Sequence, residues 1–122
     1  MDEIAPLPHP LPDALVELIA QRFRVIGEPM RIRILDRLRD EPMTVNELTL
    51  ALGASQQNVS KHLGVLHGAG VLGREKVGNH VRYSIIDESV FRLCEEVCGG
   101  LRRRLAELDE LFAGAPATSE RT

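Results

Sequence analysis

The segment "TVNELTLALGASQQNVSKHLGVLHGAG", residues 44–70, constrains the fold most, because it stops one helix and starts another within three residues. Thr44, followed three residues later by Glu47, is a capping box in which two backbone donors at a helix start are satisfied reciprocally. Gly53 suits the left-handed residue that closes this helix, and after Ala54 alone Ser55 is a fresh N-cap. In the second helix Val59, Leu63 and Leu66 recur at helical spacing and define an inner face, with Gly68 or Gly70 ending the run. Two short helices joined by a tight glycine-containing turn form a helix-turn-helix.

The flanks extend this unit. Pro6, Pro8, Pro10 and Pro12 forbid helix until Pro12 can serve as a first-turn proline, so residues 1–11 are expected to be an extended arm. Leu15, Leu18, Ile19, Phe23 and Ile26 predict an amphipathic helix ending near Gly27. A second starts around Pro29, with Ile32, Ile34, Leu35 and Leu38 apolar among four arginines, and stops at Asp40-Glu41-Pro42. After residue 70, two β-rich runs, Val71 to Val77 and Val81 to Ile86, flank Gly78-Asn79, residue types suited to a turn that needs positive φ. A last long helix starts at Asp87 or Ser89 and runs to about Phe112, with Val90, Cys94, Val97, Leu101, Leu105, Leu108 and Phe112 on one stripe. Residues 113–122 are small, polar and proline-broken, and are expected to be disordered.

The expected fold class is therefore mostly α with a small β-hairpin, a winged helix-turn-helix spanning residues 12–112. Its recognition helix covers about 55–68, its wing about 71–86 and a dimer helix about 88–112. At 122 residues the chain suits one domain. No apolar run approaches the roughly 20 residues needed to span a bilayer, and the acidic opening lacks a secretory signal's basic flank. A cytoplasmic protein with no membrane partner is expected.

A formal net charge of −3 argues against a nucleic-acid partner, since phosphates demand cations. The local balance reverses this. Residues 55–86 carry Lys61, Arg74, Lys76 and Arg82 against Glu75 alone, a net of +3. Burying Val59, Leu63 and Leu66 turns Gln56, Gln57, Ser60, Lys61 and Gly64 outward on the second helix. Gln can bond an adenine edge twice, Ser reads a base or a phosphate, Lys supplies charge, and Gly64 permits close approach to a duplex. Ser55 and Asn58 join this set at the helix start. His62 has two readings, a phosphate contact or a partly buried ring bonded locally beside the inner face. In the wing, Arg74, Lys76, His80 and Arg82 are expected to cluster around the turn, with Tyr83 and Ile85 packing inward.

"EPMRIRILDRL", "TVNELTLALGASQQNVSKHLGVLHGAGVL" and "REKVGNHVRYSI" resemble the ArsR/SmtB family of bacterial winged-helix repressors, most closely in "S-Q-x-N-V-S-K-H-L-x-x-L". The resemblance covers residues 12 to about 112. It implies a homodimer built mainly by the first and last helices, binding an inverted-repeat double-stranded DNA operator and released by an inducer. Two of the family's metal sites have no counterpart in this sequence. Thr44 and Asn46 stand where arsenic and cadmium sensors carry Cys-x-Cys. Asp87 matches a zinc ligand, but Ser89, Gly100 and Arg103 occupy the other ligand positions, so Asp87 is expected to be a helix cap.

Cys94 and Cys98 are the chain's two cysteines. At i and i+4 they share a helix face with Cβ atoms about 5–6 Å apart, too far for an unstrained disulfide. As thiolates they can chelate a thiophilic metal or metalloid, with a third or fourth ligand from a partner subunit or from the arm containing His9. They can equally be a switch for an oxidant, or packing residues, since free Cys behaves as a small hydrophobe. Glu95 and Glu96 are expected to raise their thiol pKa values. All three roles stay open, so the cofactor is a thiophilic ion or none. Gly99-Gly100, next along, suits close packing of two helices or a hinge.

Other classes stay in view. A protein-docking winged helix would bind duplex DNA poorly, against the +3 segment, and a regulator without any ligand is a further alternative. An enzyme using Cys94 or Cys98 would lack a base, because no His follows His80.

Overall fold

The computed structural model describes residues 6–113. Five helices and three strands follow in the order α1 (Asp13–Ile26), α2 (Pro29–Leu38), β1 (Met43–Thr44), α3 (Val45–Leu52), α4 (Gln56–Gly68), β2 (Leu72–Val77), β3 (His80–Ile85) and α5 (Glu88–Leu111). Residues 1–5 of the expected arm and 114–122 of the expected tail lie outside the described residues. The chain divides between Glu88 and Ser89 into two compact units, one holding α1 to β3 and the other α5.

Local chemistry sets the boundaries. Pro12 is the N-cap of α1, in extended conformation, and not its first turn. Glu28 caps α2, its side chain accepting from the Arg31 N–H at 3.0 Å, with Pro29 in the first turn, where a missing N–H costs nothing. The capping box is present at α3: Thr44 Oγ1 accepts from the Glu47 N–H at 3.1 Å, and Glu47 Oε1 accepts from the Thr44 N–H at 2.9 Å. Gly53 then closes α3 at φ 62°, left-handed backbone that a Cβ disfavours. Ser55 caps α4 through the Asn58 N–H at 3.1 Å.

Beyond Pro12, one point differs from expectation. The hairpin gains a third strand, β1, which pairs antiparallel with β3 so that the sheet order is β1-β3-β2. The cause is the cap itself: an N-cap residue is extended, so Thr44, at φ −86° and ψ 168°, serves at once as a strand residue and as the first residue of the box. At the wing's tip Gly78 has positive φ and Asn79 does not. A two-residue loop with positive φ at its first central position only has the type II′ pattern.

In the α1-to-β3 unit the fully buried side chains are Ile34 from α2, Leu48 from α3, Val59, Leu63 and Leu66 from α4, Val71, and Leu72 from β2. Burying one face of each helix of the turn fixes which face of α4 is left to solvent. In the α5 unit Val97, Leu101, Leu105, Leu111 and Phe112 are exposed.

Candidate nucleic-acid interface

The sidedness expected of α4 is present. Val59, Leu63 and Leu66 are fully buried, while Gln56, Gln57, Ser60, Lys61 and Gly64 are exposed and Asn58 is half-buried. A Cβ placed on Gly64 would meet nothing within 4 Å, so this part of the helix surface is open to a close-approaching partner. Ser55 is exposed, but its oxygen accepts the capping bond, which leaves its hydroxyl hydrogen as a donor. The first turn of α4 adds free backbone N–H groups and the positive end of the helix dipole, both suited to a phosphate.

His62 leaves this set. Its residue exposure is 5%, and Nδ1 lies 3.0 Å from an Arg31 guanidinium nitrogen, with Nε2 3.8 Å from Glu28 Oε1. The reason is position: around the helix residue 62 lies beside the buried 66 and 59, at the edge of the inner face, so its side chain turns inward. The burial and the Arg31 contact agree with the packing reading and exclude a phosphate contact from this seating.

The wing's cations divide between two faces. Residues directly opposite across an antiparallel ladder share a face, and residues two apart on one strand do too. The pairs Leu72↔Ile85, Arg74↔Tyr83 and Lys76↔Val81 form one face, and Gly73↔Ser84, Glu75↔Arg82 and Val77↔His80 form the other. Arg74 and Lys76 thus share the face that Leu72 anchors in the core, with Tyr83 and Ile85 half-buried on it. Arg82 and His80 lie on the opposite face, with Glu75 directly beside Arg82. The expected single cluster is two pairs, because side chains alternate along a strand. All four are exposed.

Two arginines hold α4 from behind. Arg22 of α1 donates to the carbonyl of Ala69, the C-cap of α4, at 3.0 Å and pairs with Asp87 at 3.2 Å. It thereby satisfies one of the carbonyls a helix end leaves open. Arg31 reaches His62 from α2. No local pattern marks either arginine: each contact joins residues 31 or more apart in the chain.

Cys94 is half-buried and Cys98 exposed, both as free thiols. Burial pushes the Cys94 thiol above its ordinary 9.0, so the cause is desolvation and not the neighbouring glutamates. Among the described residues no three His, Cys, Asp or Glu side chains converge to hold a metal ion. Thr44 spends its hydroxyl on the capping box, and Asp87 pairs with Arg22.

An exposed polar and basic helix, second in a helix-turn-helix and followed by a basic hairpin, defines a winged-helix DNA-binding protein. A helix-turn-helix domain family model matches residues 26–73. The chain is 36% identical over 111 residues to the HTH-type transcriptional regulator Rv0081 of Mycobacterium tuberculosis, covering 87% of this chain and 97% of that one. It is 35% identical to the HTH-type transcriptional repressor SmtB of the same organism, over 70% of this chain and 63% of SmtB. Among solved structures, Rv0081 superposes with a TM-score of 0.72 at 34% identity, covering 79% of this chain and 97% of that one. The antimony-specific repressor AntR also gives a TM-score of 0.72, at 26% identity over 81% and 90% of the two chains. The chain belongs to the ArsR/SmtB family of DNA-binding transcriptional regulators. Among the described residues no helix is long and apolar enough to cross a membrane.

Proposed function

We propose that the protein is a cytoplasmic repressor that occludes promoter DNA as a homodimer and acts by binding, without catalysis. Each α4 enters one of two successive major grooves of an inverted repeat, and the hairpins follow the adjoining backbone. The observation that carries this reading is the sidedness of α4, where Gln56, Gln57, Ser60 and Lys61 are exposed around the open surface at Gly64. In this reading those residues, with Ser55 and Asn58, face the bases and the nearest phosphates. Lys61, Arg74, Lys76 and Arg82 supply the phosphate charge, and His80 sits at the wing tip. The dimer is supported by apolar side chains left in solvent, Leu18 and Phe23 on α1 and Val97, Leu101 and Leu105 on α5.

Selection of duplexes from a random-sequence pool tests the reading. Gln56→Ala and Ser60→Ala change the selected sequence, whereas Arg82→Ala weakens all sequences alike and lowers the salt slope by about 1. An Arg82→Ala titration with unchanged affinity and unchanged slope removes the wing from the model.

Release is assigned to a thiol-directed inducer at Cys94 and Cys98. The pair stands one helical turn apart with Cys98 accessible, and the similar AntR is described as antimony-specific. Two thiols do not complete a metal site, so a thiophilic ion would draw its remaining donors from the second copy. A DNA-release assay with antimonite, arsenite, zinc and a polysulfide, on the parent and on Cys94→Ser/Cys98→Ser, shows release lost in the variant. Equal release in both returns the cysteines to packing.

A further inference from the structure

Arg31 ties its own helix to two others. Its Nε donates to the carbonyl of Val25 and one terminal nitrogen to the carbonyl of Arg24 at 3.2 Å, both in the last turn of α1. The other terminal nitrogen meets His62 Nδ1, on α4, at 3.0 Å. Its own backbone N–H is held by Glu28 Oε1 at 3.0 Å, the cap of α2. The guanidinium is thus fixed before it reaches α4.

A guanidinium only donates, so in this bond His62 Nδ1 is the acceptor and Nε2 carries the ring N–H. That N–H faces the Glu28 carboxylate, 3.8 Å away. Val59, Leu63 and Leu66 hold α4 by apolar contact, which is non-directional and tolerates small rotations and slides. A hydrogen bond weakens steeply with distance and angle. The Arg31–His62 bond therefore sets the rotation and axial position of α4 at a point next to Ser60 and Lys61. Base contacts require placement within roughly 0.5 Å, whereas long flexible cations follow phosphates through larger displacements.

We propose that Arg31, clamped by α1 and by Glu28, is a positioning residue that seats the DNA-reading helix through His62 and so contributes to base discrimination instead of general DNA affinity. This rests on the reading of α4 as the groove helix.

The test compares a duplex selected on the parent from a random pool with the same duplex scrambled, by anisotropy at fixed salt. His62→Leu keeps bulk but loses the acceptor. His62→Asn restores an oxygen near the place of Nδ1, and Arg31→Lys keeps charge without the fork. His62→Leu and Arg31→Lys lose about tenfold on the selected duplex, as expected for one bond to a charged group. On the scrambled duplex they stay within about twofold of the parent, and His62→Asn recovers most of the selectivity. Thermal melts of all three accompany the titrations, and imidazole nitrogen shifts report an unprotonated Nδ1 in the parent. The inference is overturned if His62→Leu keeps the parent's selectivity, if it loses equally on both duplexes, or if His62→Asn fails as His62→Leu does. If Gln56→Ala and Ser60→Ala leave the base preference intact, groove reading by α4 falls and this inference with it. If those two shift the preference and the His62 and Arg31 variants do not, positioning alone falls.

Discussion

Glu28 does two things with one carboxylate: it accepts the Arg31 N–H that starts α2, and it faces the His62 ring. Partial desolvation works to raise its pKa. It is outweighed by the Arg31 N–H bond, the favourable electrostatics of the neighbouring His62 ring, the Met30 N–H bond and the Arg31 guanidinium, so the carboxyl lies below its ordinary 4.5. A folded-state value below the unfolded one contributes stability at pH values above the unfolded value, and that contribution is lost as pH falls through the folded value. Glu28→Gln keeps an oxygen for the cap and loses the charge. The variant is less stable than the parent at pH 7, and the gap closes as pH falls below the ordinary 4.5. Urea midpoints across that range check it, and a gap constant with pH contradicts it.

At the scale of elements, the capping box and the wing turn carry the boundaries. Thr44→Ala removes a cap and costs about 1 kcal/mol, plus whatever β1 loses when its extended residue is no longer fixed. A urea titration measures it, and Asn46→Ala, at an exposed position of the same helix, serves as the neutral comparison. In the wing the Glu75↔Arg82 pairing places a carboxylate directly beside a cation that the proposed function assigns to phosphate. Glu75→Gln therefore raises affinity for any duplex at low salt, an effect that salt screening removes. The helices, the capping box and the hairpin were legible in the sequence because each rests on chemistry within a few residues: Thr44 with Glu47, Gly53 before Ser55, Gly78 between two β-rich runs. The two-residue β1 was not, since nothing in Met43-Thr44 announces a distant partner in Tyr83 and Arg82. The division of the wing cations depends on ladder register. The Arg31–His62 contact depends on tertiary packing alone; His62 carried the sequence hint of a local bond, but its partner lay on another helix.

At the scale of the molecule, α5 raises the question of what covers it. Val97, Leu101 and Leu105 recur every four residues and are each more than half exposed, a stripe whose burial is worth about 1.5–3 kcal/mol per leucine. A second copy of the chain answers both this and the DNA reading, since an inverted repeat needs two recognition helices fixed at a set spacing. Tethering makes the second half-site engagement intramolecular, which raises overall affinity by about 10²–10⁴-fold over one half-site. Leu101→Glu/Leu105→Glu places two charges on that stripe at positions already in solvent in the single chain, so the α1-to-β3 unit keeps its core. The double variant sediments as a monomer and loses about a hundredfold or more in affinity for the selected duplex. Its affinity for a single half-site matches the parent's half-site affinity. Sedimentation as a dimer with unchanged operator binding would show that α5 is not the dimer helix, and the second recognition helix would then have to be brought in by α1 alone.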